Sequence, residues 1–393
     1  MSGRVAVIVL DGVGCGAAPD ADAYGDAGSN TLGHVLAQVT TLRLPAMERL
    51  GLGHVTPLHG VDAVAAPAAV VTTLTPRSAG KDSTTGHWEL AGVVLETPFP
   101  VFPDGFPTSV LDAFTEATGR GVIGNCVASG TAVLDRLGAE HVATGAWIVY
   151  TSADSVFQVA AHESVVPLAE LYRACELARA LLVAPCNVSR VIARPFTGTP
   201  GAWHRTANRR DYSVPPAAET LLDALAVAGI ARTGVGKVDD LFAGRGITST
   251  HTSGNAEGLA LVQGWLDGTT DGFLFANLVD FDQQFGHRND VAGFAGALAE
   301  FDAALPALLG ALRDDDLLFI TADHGNDPTT ASTDHARECV PLLVAGRSVQ
   351  GGVLPPRATF ADVGATVAEA FGLGWRGHGT SFLARVLSPV VMR

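Results

Sequence analysis

The chain has 393 residues, 47% of them hydrophobic and only 17% charged, and a formal net charge of −15. That length and apolar content can fill one large core or, as expected here, two. The acidic balance makes nucleic acid and anionic membranes poor partners, since binding them rests on clustered Lys and Arg. The five cysteines form no C-x-x-C pair and the apolar run Val5–Leu10 is too short for a signal peptide, so reduced thiols in a cytoplasmic protein are expected. No apolar run is read as long enough to span a membrane.

In chain order, the first element is a strand over VAVIVL, residues 5–10, ending in Asp11 and followed by glycines. Gly12, Gly14 and Ala17 fit the dinucleotide fingerprint G-x-G-x-x-A. That fold also needs a second strand ending in an acid about 20 positions on. The residues that follow, APDADAYGDAGSNTLGHVLAQV, are polar and then helical, so the strand is read as delivering Asp11 to a metal. Next comes SAGKDSTTGHWEL, Ser78–Leu90, dense in hydroxyls and carrying Lys81 and Asp82. Ser83, Thr84 and Thr85 suit the cap of a helix, and a hydroxyl at such an end lies where phosphate is welcome. Bound to a metal, it also loses its proton readily.

Near residue 96 the chain turns Pro- and Phe-rich (ETPFPVFPDGFP), and around 207–216 it reads ANRRDYSVPPA. Strand-like runs lie between, AWIVYTSADSVFQVA and SRVIARPF. An inserted domain over 96–216 is expected, leaving a core of 1–95 and 217–393. The core resumes with a helix in AAETLLDALAVAG, a strand in GFLFANLVD, a helix in AGFAGALAEFDAALPALLGAL and a strand in DLLFITAD. This alternation predicts an α/β fold with a central sheet and helices on both faces. In such sheets ligands bind at the carboxyl ends of strands. Three of these strands end in aspartate: Asp11, Asp280 with Asp282 close behind, and Asp323.

The chemistry gathers there. TADHGNDPTTASTDH supplies Asp323, His324 and His335, and NLVDFDQQFGHRND supplies Asp282 and His287 in what is expected to be a loop. With Asp11 this makes a mixed oxygen and nitrogen set, better suited to Mn²⁺, Zn²⁺ or Fe²⁺ than to Ca²⁺ alone. Six ligands are too many for one open catalytic ion and about right for two. Two ions roughly 3.5–4 Å apart clamp the entering and leaving oxygens of a phosphoryl transfer.

Taken together, LDGVGCGAAPDA, GKDSTTGHWEL, YTSADSVFQVAAHE, RVIARPF, NRRDYS, NLVDFDQQFGHR and TADHGNDPTTASTDH resemble the phosphopentomutase family, from about residue 4 to about 385. That family belongs to the alkaline phosphatase superfamily, with the cofactor-independent phosphoglycerate mutases. The resemblance implies an alkaline-phosphatase-like core with a mostly parallel sheet, an inserted α+β cap and two Mn²⁺ ions. It implies interconversion of ribose or deoxyribose 1-phosphate and 5-phosphate through a phosphoenzyme, with a sugar bisphosphate as activator. Asp11, Asp323 and His324 match one metal site, and Asp282, His287 and His335 the other. Ser83 stands where the family carries a phosphorylated threonine, as nucleophile and metal ligand, with Lys81 spreading the charge of the transferring group. Ser152 and Asp154 match sugar-hydroxyl contacts, and Arg190, Ile192 and Arg205 contacts to the substrate and its phosphate; Arg209 and Arg210 join this group. Arg210 replaces an expected histidine and is expected to alter substrate choice. Both departures leave open a related phosphosugar mutase of specialised metabolism or a two-metal phosphatase. The implied partner is a small sugar phosphate.

Overall fold

A computed structural model describes residues 3–152, 154–268 and 270–387; the ends of the expected core, 1–2 and 388–393, lie outside them. The chain divides into two compact units, Met1–Thr97 with Pro216–Arg393, and Pro98–Pro215. Both joins fall in the Pro-rich passages.

The first unit is built on an eight-stranded sheet. Its middle strand, Arg4–Leu10, is buried along its whole length, as an unbroken run of β-branched and aliphatic residues requires. Gly272–Leu278 and Leu317–Thr321 flank it, both parallel, with Leu10 opposite Leu278 and Val9 opposite Thr321. Register therefore sets three strand ends side by side at one edge. Beyond Gly272–Leu278 lie Arg232–Val235 and Ser249–Thr250, also parallel. On the other flank Val340–Ala345 runs antiparallel between Leu317–Thr321 and Val70–Leu74. The sheet is mostly parallel, as the α/β reading requires. At the opposite edge the buried Arg4 donates from Nε to Asp316 Oδ2 at 3.0 Å, tying the start of the middle strand to the start of its neighbour.

The 20-residue helix Val291–Gly310 corrects one expectation, because by length and composition it would qualify as a membrane span. Here it is a core helix. Phe294, Leu298, Phe301 and Leu305 are buried, and Asp302 accepts from the amides of Ala46 and Met47.

The second unit has a six-stranded sheet in the order Val122–Val127, Trp147–Thr151, Val156–His162, Arg190–Thr199 and Ala202–Arg205, with Arg210–Ser213 also paired to Arg190–Thr199. Strand period separates its two faces. Trp147, Val149, Phe157, Val159, Val191 and Ala193 share a core with Phe114 of helix Thr108–Thr118 and with Leu171 and Ala174 of helix Leu168–Leu181. Ile148, Tyr150, Ala160 and Phe196 pack with Val133 and Leu134 of helix Gly130–Thr144. That helix covers only part of its face. Parallel pairing sets Arg190 beside Val156, Ile192 beside Gln158 and Arg194 beside Ala160.

Candidate active site

The core site grows from the three adjacent strand ends. Asp11 follows the middle strand directly and is fully buried. Asp323 and His324 follow Leu317–Thr321. The segment after Gly272–Leu278, expected as loop, is a π turn over Phe281–Phe285 and a 3₁₀ turn over Gly286–Arg288. Hydrogen bonds of a π turn run from i to i+5, and here the Gly286 amide reaches the Phe281 carbonyl. Residues five apart come to one side, and His287 Nε2 lies 3.2 Å from Asp282 Oδ2.

Helix Ser83–Leu90 brings the hydroxyl. Its cap is Asp82, which accepts from the Thr85 amide at 3.1 Å and the Thr85 hydroxyl at 2.6 Å. Ser83 thus begins the helix and is spared capping. Its Oγ lies 3.3 Å from Asp11 Oδ1 and 3.2 Å from His324 Nε2. Two glycines permit this crowding. A Cβ on Gly86 would run into the Asp323 backbone, and one on Gly14 into the Glu338 carboxylate. The glycines after the first strand serve close packing around the site.

Of the six expected metal ligands, Asp282, His287 and His335 offer ligand atoms within 4.8 Å of one another, and so do Asp11, Asp282 and His324. Asp282 is common to both groups. Asp323 stands beside the second: its Oδ2 is 3.5 Å from His324 Nε2 and 3.0 Å from His87 Nδ1. His87 Nδ1 is also 2.9 Å from the Ser83 carbonyl, and a proton on that nitrogen serves the carbonyl. Asp323 Oδ2 is left buried without a hydrogen bond. A buried carboxylate oxygen with no donor, among imidazoles within ligand reach of other carboxylates, fits divalent metal.

The electrostatics agree. Burial opposes ionisation of Asp11, but the Lys237 ammonium and His324 outweigh it and hold the carboxyl well below its usual range. Burial pulls His324 down, yet Asp323 and Asp11 lift it to about 10, and Asp282 lifts His287 to about 9 against the same burial. The carboxylates thus hold positive charge close on His324, His287 and Lys237.

The two lysines divide differently from expectation. Lys81 is not brought to the Ser83 hydroxyl; its Nζ lies 3.0 Å from Asp26 Oδ2 and 3.3 Å from Asp334 Oδ2. Lys237, which the sequence reading missed, lies 2.8 Å from Asp11 Oδ2 and 3.5 Å from Ser83 Oγ. A signal was available: Gly236-Lys237 follows the parallel strand Arg232–Val235, the same strand-end position that singled out Asp11. His87 and Asn277 were missed too. Asn277 Nδ2 donates to Asp11 Oδ2 at 3.1 Å and lies 3.2 Å from His87 Nε2, steadying the ligands from behind.

The second unit holds a pocket of about 240 Å³. Ser152, Asp154, Arg190, Ile192, Arg205 and Arg209 all line it, with Tyr150, Gln158 and Arg194, which the sequence reading passed over. Arg190-x-Ile192-x-Arg194 is the period-2 signal that reveals the third. Arg209 and Arg190 share Asp211, at 2.6 Å and 3.6 Å. Arg210 is absent from the lining, because its guanidinium lies 4.4 Å over the Tyr172 ring on helix Leu168–Leu181.

Residues 3–374 match the metalloenzyme superfamily. A phosphopentomutase of Anaeromyxobacter sp. (strain K) is 56% identical over 388 residues, covering 98% of this chain and 100% of that protein. Another, from Caldanaerobacter subterraneus subsp. tengcongensis, is 54% identical over 382 residues, covering 97% of each. Among solved structures, a phosphoglycerate mutase of Leishmania mexicana shares the fold at 13% identity, with a TM-score of 0.53 over 97% of each chain.

Proposed function

The chain belongs to the phosphopentomutase family within the metalloenzyme superfamily, and from that premise we propose that it interconverts ribose or deoxyribose 1-phosphate and 5-phosphate through phosphorylated Ser83. The observation that carries the phosphoenzyme is the uncapped Ser83 hydroxyl, within 3.3 Å of both Asp11 and His324 and 3.5 Å from Lys237.

Asp11, Asp282 and His324 would hold one divalent ion and Asp282, His287 and His335 a second, with Asp323 completing the first; the resemblance makes both Mn²⁺. Bound there, they supply Lewis acidity and neutralise charge on a phosphoryl group. The cycle begins with phosphate on Ser83, placed there by a sugar bisphosphate. The free hydroxyl oxygen of the substrate bonds to phosphorus as the bond to Ser83 Oγ breaks, and a proton passes from the sugar hydroxyl to Ser83. Lys237 faces the oxygen on which negative charge grows, and its ammonium offsets that charge. The resulting 1,5-bisphosphate reverses its orientation and returns its other phosphate to Ser83, with the proton passing back. Neither phosphate nor protons are lost over the turn. The arginines of the second unit offer a binding site for a sugar phosphate, in the bidentate manner suited to guanidinium. Ser152 and Asp154 orient the sugar hydroxyls.

Ser83→Ala is expected to abolish turnover and the species heavier by one phosphate in intact-mass spectra. Ser83→Thr keeps both, since the hydroxyl remains. Tandem mass spectrometry that finds phosphate on Thr84 or Thr85 in the alanine variant sinks the assignment. Wild-type turnover should be stimulated by sugar bisphosphate and release little inorganic phosphate. Stoichiometric phosphate release, indifferent to bisphosphate, makes the protein a phosphatase instead.

A further inference from the structure

Arg194 has an environment unlike that of its neighbours. It lies on strand Arg190–Thr199, two residues past Ile192 and four past Arg190, and a strand's period of two sends all three to one face. All three line the 240 Å³ pocket. Arg194 Nε donates to Gln158 Oε1 at 3.0 Å, and Gln158 is itself buried. No hydrogen bond to Nη1 or Nη2 is found among the described residues. Arg190 and Arg209 are engaged with Asp211, and Arg190 lies 3.9 Å from Asp154. Among the described residues Arg194 and Arg205 have no carboxylate within ion-pair distance. Burial, with repulsion from Arg209 and Arg205 and against attraction from Tyr150 and Asp211, brings the Arg194 guanidinium down to about 10, still charged at neutral pH.

A second source of positive potential meets them. Helix Gly130–Thr144 begins at the pocket, and its first turn contains no acidic residue. A Cβ on Gly130 would sit 2.7 Å from Arg205 Nη2 and 3.0 Å from the Tyr150 hydroxyl. Arg205 therefore packs against the positive end of the helix, where a cation is disfavoured in the absence of an anion. Two guanidiniums outside ion-pair distance of any described carboxylate, with Asp211 attracting Arg194 from farther off, border one polar cavity beside a helix N-terminus. Burying positive charge that is only partly offset is costly, and a multiply charged anion relieves it.

We propose that Arg194 is a direct phosphate ligand of this pocket, its Nε held by Gln158 so that both terminal nitrogens are free to meet the phosphate. The proposal rests on reading the pocket as a sugar-phosphate site and adds to it the residue that sets its affinity. A packing role would instead make Arg194 a filler whose charge is incidental.

Two variants separate these roles. Arg194→Met keeps the length and removes the charge. Gln158→Glu keeps the size and the contact, but gives the guanidinium an internal anion that competes with phosphate. Binding of ribose 5-phosphate and of ribose to the whole chain is measured by calorimetry, alongside KM, kcat and thermal midpoint. Arg194→Met is expected to weaken ribose 5-phosphate by about tenfold or more, the loss of a charge-assisted hydrogen bond. Arg194→Lys restores part of it. Gln158→Glu weakens it by a smaller factor without lowering the thermal midpoint, and kcat changes less than KM throughout. Wild-type affinity for ribose 5-phosphate in Gln158→Glu, or in a folded Arg194→Met, overturns the proposal. If Arg194→Met does not fold, Gln158→Glu alone decides. The calorimetric arm needs no turnover, so a protein that binds ribose 5-phosphate through Arg194 but fails as a mutase breaks the mutase reading and leaves this one standing.

Discussion

The two charged sites are built from opposite materials and in opposite ways. In the first unit, carboxylates and imidazoles converge from the ends of parallel strands and from the turns just beyond them, so the ligands come from three separate parts of the chain: Asp11, Asp282 with His287, and Asp323 with His324 and His335. In the second unit, cations lie along one face of a single strand and on its neighbours. The first arrangement gathers carboxylates that repel one another and are offset by the imidazoles, by Lys237 or by a bound cation. The second gathers guanidiniums, of which Arg190 and Arg209 are paired with Asp211. Sheet topology supplies the first and side-chain alternation the second.

The most severe way to break the contrast is to remove what balances the core cluster. Chelation, or Asp323→Ala, is expected to abolish turnover, with metal content by elemental analysis falling in both. Added Mn²⁺ restores the chelated wild type. Ribose 5-phosphate binding to the arginine pocket should persist, because no guanidinium there depends on metal. Full activity in chelated protein would show that the carboxylate cluster serves something other than a metal.

The contrast also explains what could be read from the chain. Asp11, Asp282, His287, Asp323, His324 and His335 stood out because strand ends are short, apolar and abruptly polar. Lys237 obeys the same rule, but it follows the short strand Arg232–Val235 and comes without a neighbouring ligand to draw notice. Which ligands share an ion depends on register and on the π turn, and no residue pattern marks a π turn; the role of Asp282 in both groups follows from it. The mostly parallel sheet followed from β-branched runs alternating with helices. In the insertion, Arg194 was visible only to someone counting by two along RVIAR. Arg210 was misplaced because its position in NRRDYS says nothing of Tyr172, 38 positions earlier in the sequence.

The next test concerns the lysines. Lys237→Met removes the ammonium 2.8 Å from Asp11 and 3.5 Å from Ser83, and kcat should fall by about 10²–10³, the range for a lost charge-stabilising donor. Lys81→Met breaks partly exposed pairs with Asp26 and Asp334 and should cost only about 1 kcal/mol. Steady-state rates of the two variants decide it; a larger loss at Lys81 would reverse the assignment.

On the arginine side the effect moves from kcat to KM. Arg205→Ala removes a guanidinium without a carboxylate partner, and the loss of a charge-assisted hydrogen bond is roughly 1.5–3 kcal/mol. KM for sugar phosphates is expected to rise by about 10- to 150-fold with metal content unchanged. An unaltered KM would make Arg205 an ordinary surface cation.

The smallest effect is expected at Arg210, where the resemblance led to an expectation of histidine and of altered specificity. Its guanidinium lies 4.4 Å over Tyr172, whose hydroxyl donates to the Asn208 carbonyl at 2.8 Å, so the pair fastens the start of strand Arg210–Ser213 to helix Leu168–Leu181. An exposed cation–π contact contributes about 0.5–1 kcal/mol. Arg210→His should therefore lower the thermal midpoint slightly. It should leave KM for ribose 5-phosphate, and the preference between ribose and deoxyribose, within about twofold, the range of a surface substitution. Arg209, one residue earlier, lines the pocket and pairs with Asp211, so Arg209→His supplies the contrast and should raise KM. A changed sugar preference in Arg210→His, with KM unmoved in Arg209→His, would exchange the two arginines between pocket and surface and undo the placement on which the comparison stands.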